Sequence, residues 1–183
     1  YEGMFPGDPI FRVYAVEGLA LSRSPHAIEA LERVIDSNDQ PEGWDLRWVA
    51  LAALANIGHD SVVPYLRKAV ADPRREVSWS ASCWLASFFG DAAGIEVLRK
   101  LTDWSYLDGE RGDRERERAP QEKEQYMVMA IEGLWKLEKD DVAQLILEKS
   151  RDTRSTKVKN AALEIASKLE RRGSESAVPG GAR

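Results

Sequence analysis

The sequence predicts an all-α protein, an α-solenoid of antiparallel helix pairs, about four and a half repeats long. Three observations carry that expectation. One apolar pattern, with offsets 0, 3, 4, 7, 8 and 11, recurs five times along 183 residues, and those offsets trace one face of a 3.6-residue helix. A second set of amphipathic segments alternates with the first. No β-branched alternating run is bounded by hairpin-turn residues.

The first copy of the pattern is Phe11, Tyr14, Ala15, Gly18, Leu19 and Ser22. The second is Leu46, Val49, Ala50, Ala53, Leu54 and Ile57, and the third Val77, Ser80, Ala81, Trp84, Leu85 and Phe88. The fourth is Tyr126, Met129, Ala130, Gly133, Leu134 and Leu137, and the fifth Val158, Ala161, Ala162, Ile165, Ala166 and Leu169. Their starting positions, 11, 46, 77, 126 and 158, step by 35, 31, 49 and 32. The third interval therefore holds an insertion of about 17 residues.

The alternating segments are 24–35, 60–71, 91–102 and 140–150. They open on Ser24, Asp60, Asp91 and Asp140, whose side-chain oxygens suit the free N–H groups of a first helical turn. Pro25 falls at the first helical position, where no N–H is needed. Gly58 and Gly90 sit where a left-handed C-cap would end the preceding helix. Each segment closes on an aspartate before a turn, Asp36, Asp72, Asp103 and Asp152, and Pro73 stops the second of them.

Composition excludes several functions. Hydrophobic residues are 43% and charged residues 31%, enough apolar content for a packed core. The net charge of −5 disfavours nucleic-acid binding, which needs clustered cations. One cysteine forbids an internal disulfide or a Cys-rich zinc site, and two histidines leave little for a metal centre. No run reaches the ~18–20 apolar residues that span a bilayer, so no membrane partner is expected. The first residues lack a charged, then apolar, leader pattern, and the lone thiol points to a reducing cytoplasm. A signal peptide removed before Tyr1 is equally compatible with the sequence.

The stretch DLRWVALAALANIGHDSVVPYLRKAVADPRREVSWSASCWLASFFGDAAGIEVLRKLTD, residues 45–103, resembles the HEAT and HEAT-like repeats. Their pattern is an aspartate turn, a V-R-x-x-A-A-x-A-L helix, and a Gly-Asp turn into the next helix. Arg12 and Arg47 match the family's arginine and Lys159 is a conservative match, whereas Ser78 and Met127 depart from it. The short Gly-Asp turns resemble the subgroup that includes bilin lyases and many bacterial scaffold proteins. The signature positions of the similarly long TPR repeat are not met.

The resemblance implies a repeat domain over 9–172, with pairs 24–36/45–58, 60–72/75–89, 91–103/122–138 and 140–152/155–170. The helix at 9–22 would be an unpaired second helix, either a cap or the remnant of a pair whose first helix lies upstream. Residues 104–121 form an inserted charged loop, expected to be mobile, and 173–183 a disordered tail.

In such arrays the second helices line the concave side. Offsets 2, 6 and 9, opposite the core stripe, are Val13, Glu17 and Ala20; Trp48, Ala52 and Ala55; Trp79, Cys83 and Ala86; Val128, Glu132 and Trp135; and Asn160, Glu164 and Ser167. A solvated face should read as Lys, Glu, Arg and Gln. Trp48 and Trp79 either fold down to seal the core between repeats, or floor an aromatic groove rimmed by Glu17 and Glu132. The second reading makes Trp48, Trp79, Cys83, Glu17, Glu132 and Trp135 the candidate partner-binding residues. An aromatic floor with acidic edges suits a peptide bearing apolar and basic residues. The insertion offers Trp104, Tyr106, Arg114 and Arg116 as a second candidate contact, although its arginines alternate with acids that cancel their field.

Other features carry less. His26 and His59 read as surface residues, and Cys83 has no sequence-linked activating group. Glu17, Glu132 and Glu164 share a face but read as coming from non-adjacent repeats, against a paired acid and base. No phosphate-loop, H-E-x-x-H or G-x-S-x-G motif occurs. The expected function is a non-enzymatic scaffold binding a protein or peptide, with no cofactor and no metal. The alternatives that the resemblance leaves are a bilin-lyase-type enzyme handling a tetrapyrrole and, less favoured, a HEAT-like DNA glycosylase.

Overall fold

An amphipathic helix must cover its apolar stripe, and this chain does so by pairing each helix with the next and stacking the pairs. The computed structural model describes residues 9–22, 24–37, 46–109, 120–138, 142–152 and 154–176. Ten α-helices run through them: α1 Pro9–Ser22, α2 Pro25–Asp36, α3 Leu46–Ile57, α4 Val63–Ala69, α5 Arg75–Trp84, α6 Ile95–Leu101, α7 Trp104–Asp108, α8 Pro120–Glu138, α9 Ala143–Lys149 and α10 Thr156–Ser176. A 3₁₀ turn, Asp60–Val62, leads into α4, and a π-helical turn, Leu85–Phe89, prolongs α5. No strand occurs among the described residues.

The expected pairs are present. First helices α2, α4, α6 and α9 pack on second helices α3, α5, α8 and α10, respectively. The second helices also touch along the row, α1 with α3, α5 with α8 and α8 with α10. The local signals explain the boundaries. Ser24 Oγ accepts from the Ala27 N–H at 3.1 Å, with Pro25 opening α2. Gly58 and Gly90 end their helices with φ of 75° and 63°, a conformation costly for any side chain. Asp91 accepts from the Ala93 N–H at 2.8 Å and so shapes the turn before α6 rather than capping it. Asp60 starts the 3₁₀ turn, and Asp140 lies outside the described residues.

The core forms two clusters that share α5 as a wall. Val77, Ala81 and Leu85 face the cluster built with α1 to α4, while Trp79, Cys83 and Ala86 face the cluster built with α6 to α10. Small residues mark two close approaches, α8 on the turn that prolongs α5 and the start of α6 on α5. A Cβ on Gly133 of α8 would stand 2.9 Å from the Ala86 Cβ, and one on Gly94 would stand 2.5 Å from the Ser82 Cβ.

Four expectations are corrected here. The π-helical turn shifts the α5 register by one residue, so Phe88 points out (47% exposed) and Phe89 packs on the core in its place. On α1 the expected stripe is reversed. Val16 is the buried residue, with Val13, Leu19 and Ala20 beside it, whereas Tyr14, Ala15, Gly18 and Ser22 are exposed. Among the described residues α1 packs on α2 and α3, and it buries the side turned to them.

The insertion does not begin as a loop. Residues 104–108 form α7, and Pro120 already belongs to α8, leaving 110–119, with Arg114 and Arg116, outside the described residues. Finally, α10 runs on to Ser176, past the expected end at 172, and 177–183 lie outside the described residues.

Candidate functional site

The offset row of the second helices is not one groove. Its central members are interior. Trp79 is 1% exposed and Cys83 is fully buried, so neither can floor an open surface. The indole of Trp79 lies against Tyr106 of α7 and edge-on to Tyr126 of α8, with ring centroids 5.6 and 5.3 Å away. Its Nε1–H donates to the Tyr106 hydroxyl at 3.2 Å, meeting the polar requirement of a buried indole. Burial pushes the Cys83 thiol up to about 12, which makes it inert as a nucleophile. The cause is positional. On α5, offsets 2, 6 and 9 point to the next second helix, α8, and not to solvent.

Trp48 is half-buried. It packs against Trp84 with centroids 5.9 Å apart, closing the same seam one repeat earlier. Glu17 is exposed on α1, at the far end of the row.

The insertion residues Trp104 and Tyr106 are partly buried anchors, as Trp79 requires. Asp103 caps α7 by accepting from the Ser105 N–H at 2.8 Å. Trp104 Nε1–H donates to Asp152 Oδ2 at 2.7 Å, and the Arg154 guanidinium lies 4.4 Å over the indole. Asp108 accepts from Lys123 Nζ at 2.8 Å and pairs with Arg154 at 2.9 Å. Helix α7 is therefore a strap fastened to α5, α8 and the α9–α10 turn. These contacts account for the acid strengths. The Lys123 hydrogen bond chiefly holds Asp108 below the ordinary carboxylate value. At Asp152 desolvation opposes the shift, but donors from Trp104, Ser155 and Arg154 prevail and lower it.

The open part of the row lies at its other end. Glu132, Trp135 and Lys136 of α8, with Ala161, Glu164, Ile165 and Lys168 of α10, line a cleft of about 380 Å3. Lys168 Nζ is held by Glu164 at 2.8 Å, and Lys136 Nζ donates to the Ser87 carbonyl of the π-helical turn at 2.7 Å. Glu132 is pushed above the usual carboxylate value by desolvation first and by the charge of Glu164 second, partly offset by Lys168. Glu132 and Trp135 were legible as site candidates in the sequence. Glu164 was placed on the same face but read as too distant to act with Glu132, and the packing of α8 on α10 brings the two within electrostatic reach. Lys136 and Lys168 fall outside the offset row and carried no signal of their own.

Among the described residues no three His, Cys, Asp or Glu side chains group as metal ligands, and no described helix is long and apolar enough to cross a membrane. Residues 46–72, which are α3, the 3₁₀ turn, α4 and the aspartate turn after it, match the family model described as PBS lyase HEAT-like repeat. The chain thus carries a HEAT-like repeat within an all-helical fold. No curated protein and no solved structure matches it.

Proposed function

We propose that the chain is a non-enzymatic scaffold or adaptor, and that it binds a protein or peptide segment at the α8–α10 cleft. The observation that carries this reading is the pair of carboxylates, Glu132 and Glu164, that share the cleft with Trp135. Both cleft cations are committed, Lys168 to Glu164 and Lys136 to the Ser87 carbonyl. Glu132 stays partly desolvated and repelled by Glu164. A Lys or Arg side chain entering the cleft would relieve that repulsion and lie against an indole face, while neighbouring apolar residues of the same segment cover Ile165 and Ala161. A tetrapyrrole, whose carboxylates seek free cations, is less well served by lysines already engaged.

Peptide display against the wild-type protein tests this. Selected sequences should place Lys or Arg next to an apolar residue. Trp135→Ala and Glu132→Gln should each weaken the selected peptides at least about tenfold, near 1.4 kcal/mol, with unchanged helicity. Binders indifferent to both substitutions, or no binders, would refute the reading.

A further inference from the structure

A regular continuation of α5 would carry Phe88 on the stripe of Val77, Ala81 and Leu85, inside the core. The π-helical turn Leu85–Phe89 prevents that. Such turns are rare and concentrate at functional sites. Here the turn gives one of two adjacent phenylalanines to the core and the other to the surface. Phe89 packs inward, while the Phe88 ring stays 47% exposed, edge-on to Phe89 at 6.5 Å.

Phe88 adjoins the α8–α10 cleft. Lys136 lines that cleft, and its Nζ donates to the Ser87 carbonyl at 2.7 Å. Ser87 and Phe88 share a peptide unit, so the Phe88 Cα is within about 6 Å of the same amine. Helix α8 is also seated tightly on this turn, since a Cβ on Gly133 would stand 2.9 Å from the Ala86 Cβ. One surface therefore runs from Glu132, Glu164 and Trp135 along the aliphatic stem of Lys136 to the Phe88 ring.

The separation of its two ends sets the geometry of an occupant. The cleft lies between α8 and α10, and Phe88 lies on the turn that prolongs α5. One to one and a half helix spacings of about 8–10 Å separate them. Three or four residues of extended chain, at about 3.3 Å each, cover that span. The carboxylate pair calls for a basic residue at one end, and the exposed ring for a large apolar residue at the other. We infer that Phe88 is a specificity-determining contact for the partner of the cleft. That partner is an extended segment of another protein, with Lys or Arg beside Glu132 and Trp135 and a Leu, Met or aromatic residue three or four positions away over Phe88. This rests on the proposed peptide-binding role of the cleft and supplies its second anchor.

The test uses fluorescein-labelled, serine-rich peptides with a central Arg-Leu pair, titrated with the full chain and followed by anisotropy. The parent peptide carries no Phe. In the others a single Phe is moved outward one position at a time, on either side of the pair. A Phe three or four positions from the Arg, on one side, should tighten binding at least about fivefold over the parent. Phe88→Ala should remove that gain and leave the affinity of the parent unchanged. Phe88→Leu, which keeps an apolar side chain there, should retain part of the gain, and Leu147→Ala on α9 all of it. A parent that does not bind refutes the reading of the cleft, and this inference with it. A parent that binds, with no gain at any spacing or a gain that survives Phe88→Ala, overturns this inference alone. Loss of parent binding in Phe88→Ala would do the same, because Phe88 would then shape the cleft rather than meet the partner. So would a wild-type dimer, seen by light scattering, that Phe88→Ala dissolves, since the occupant would then be a second copy of the chain.

Discussion

Trp79 illustrates how one side chain is read differently alone and in company. Its helix offset is that of a surface position, yet three helices converge on it, and its indole is satisfied by Tyr106. Trp79→Ala should cost about 3–5 kcal/mol, the range for removing a buried aromatic, seen as a lower midpoint in urea denaturation. Trp48→Ala, at a half-buried site, should cost clearly less. Equal effects would mean that Trp79 is not the core residue described. Cys83 follows the same logic. With its pKa raised to about 12 by burial, it should resist a thiol reagent in native buffer and react on unfolding. Glu132, Trp135 and Glu164 carry signals of the same kind in the sequence, and they meet an open cleft.

At the scale of elements, two close contacts set the stacking. A Cβ on Gly94 would meet the Ser82 backbone Cα at 2.7 Å, which no rotamer change relieves. Gly94→Ala should therefore destabilise by about 1–3 kcal/mol, as overpacking does, even though alanine favours helix elsewhere. A thermal midpoint equal to wild type would contradict the packing of α6 on α5. The strap α7 depends on contacts distant in sequence, Trp104 with Asp152 and Asp108 with Lys123 and Arg154. Its five residues are too few to hold a helix alone. Trp104→Ala should accelerate amide exchange over 104–108 while α8 and α10 remain protected. Unchanged exchange there would mean that the strap is held by other contacts. Low apolar content made a loop the natural expectation for the insertion, because none of its anchors lies in the same segment of sequence.

Across the whole molecule, aspartates shape the turns, Asp72 and Asp103 through neighbours in the same turn and Asp91, Asp108 and Asp152 through side chains distant in sequence. Asp72, Asp91, Asp103, Asp108 and Asp152 are all held below the ordinary carboxylate value. A depressed folded-state pKa contributes stability that is complete above the unfolded value, near 3.9, and is lost as pH falls through the folded values. Glu132 has the opposite sign, since its raised value favours the fold once it is protonated, but it is one group against five. The thermal midpoint should hold from pH 7 to about 5 and fall below about pH 4. Asp152→Asn should flatten part of that fall. A midpoint constant down to pH 3 would show that these carboxylates do not stabilise the fold.

Periodicity, capping residues and turn aspartates were enough to read the helices, their pairing and the HEAT-like resemblance from residues alone. Those signals are local: each stripe, Ser24 and the glycines at 58 and 90 act within one or two turns of chain. What surrounds a given face was decided by the tertiary structure. The offset row looked uniform along the sequence, but it is sealed at α5 by α8 and open where α10 is the last helix of the described row. On α1 the buried stripe shifted to Val16 for the same reason, since among the described residues no helix covers its far side. The π-helical turn exchanged Phe88 for Phe89, and α7 was built from partners about 15 to 48 residues away. Burial is a property of neighbours, and a one-dimensional pattern records which residues share a face without recording what that face meets.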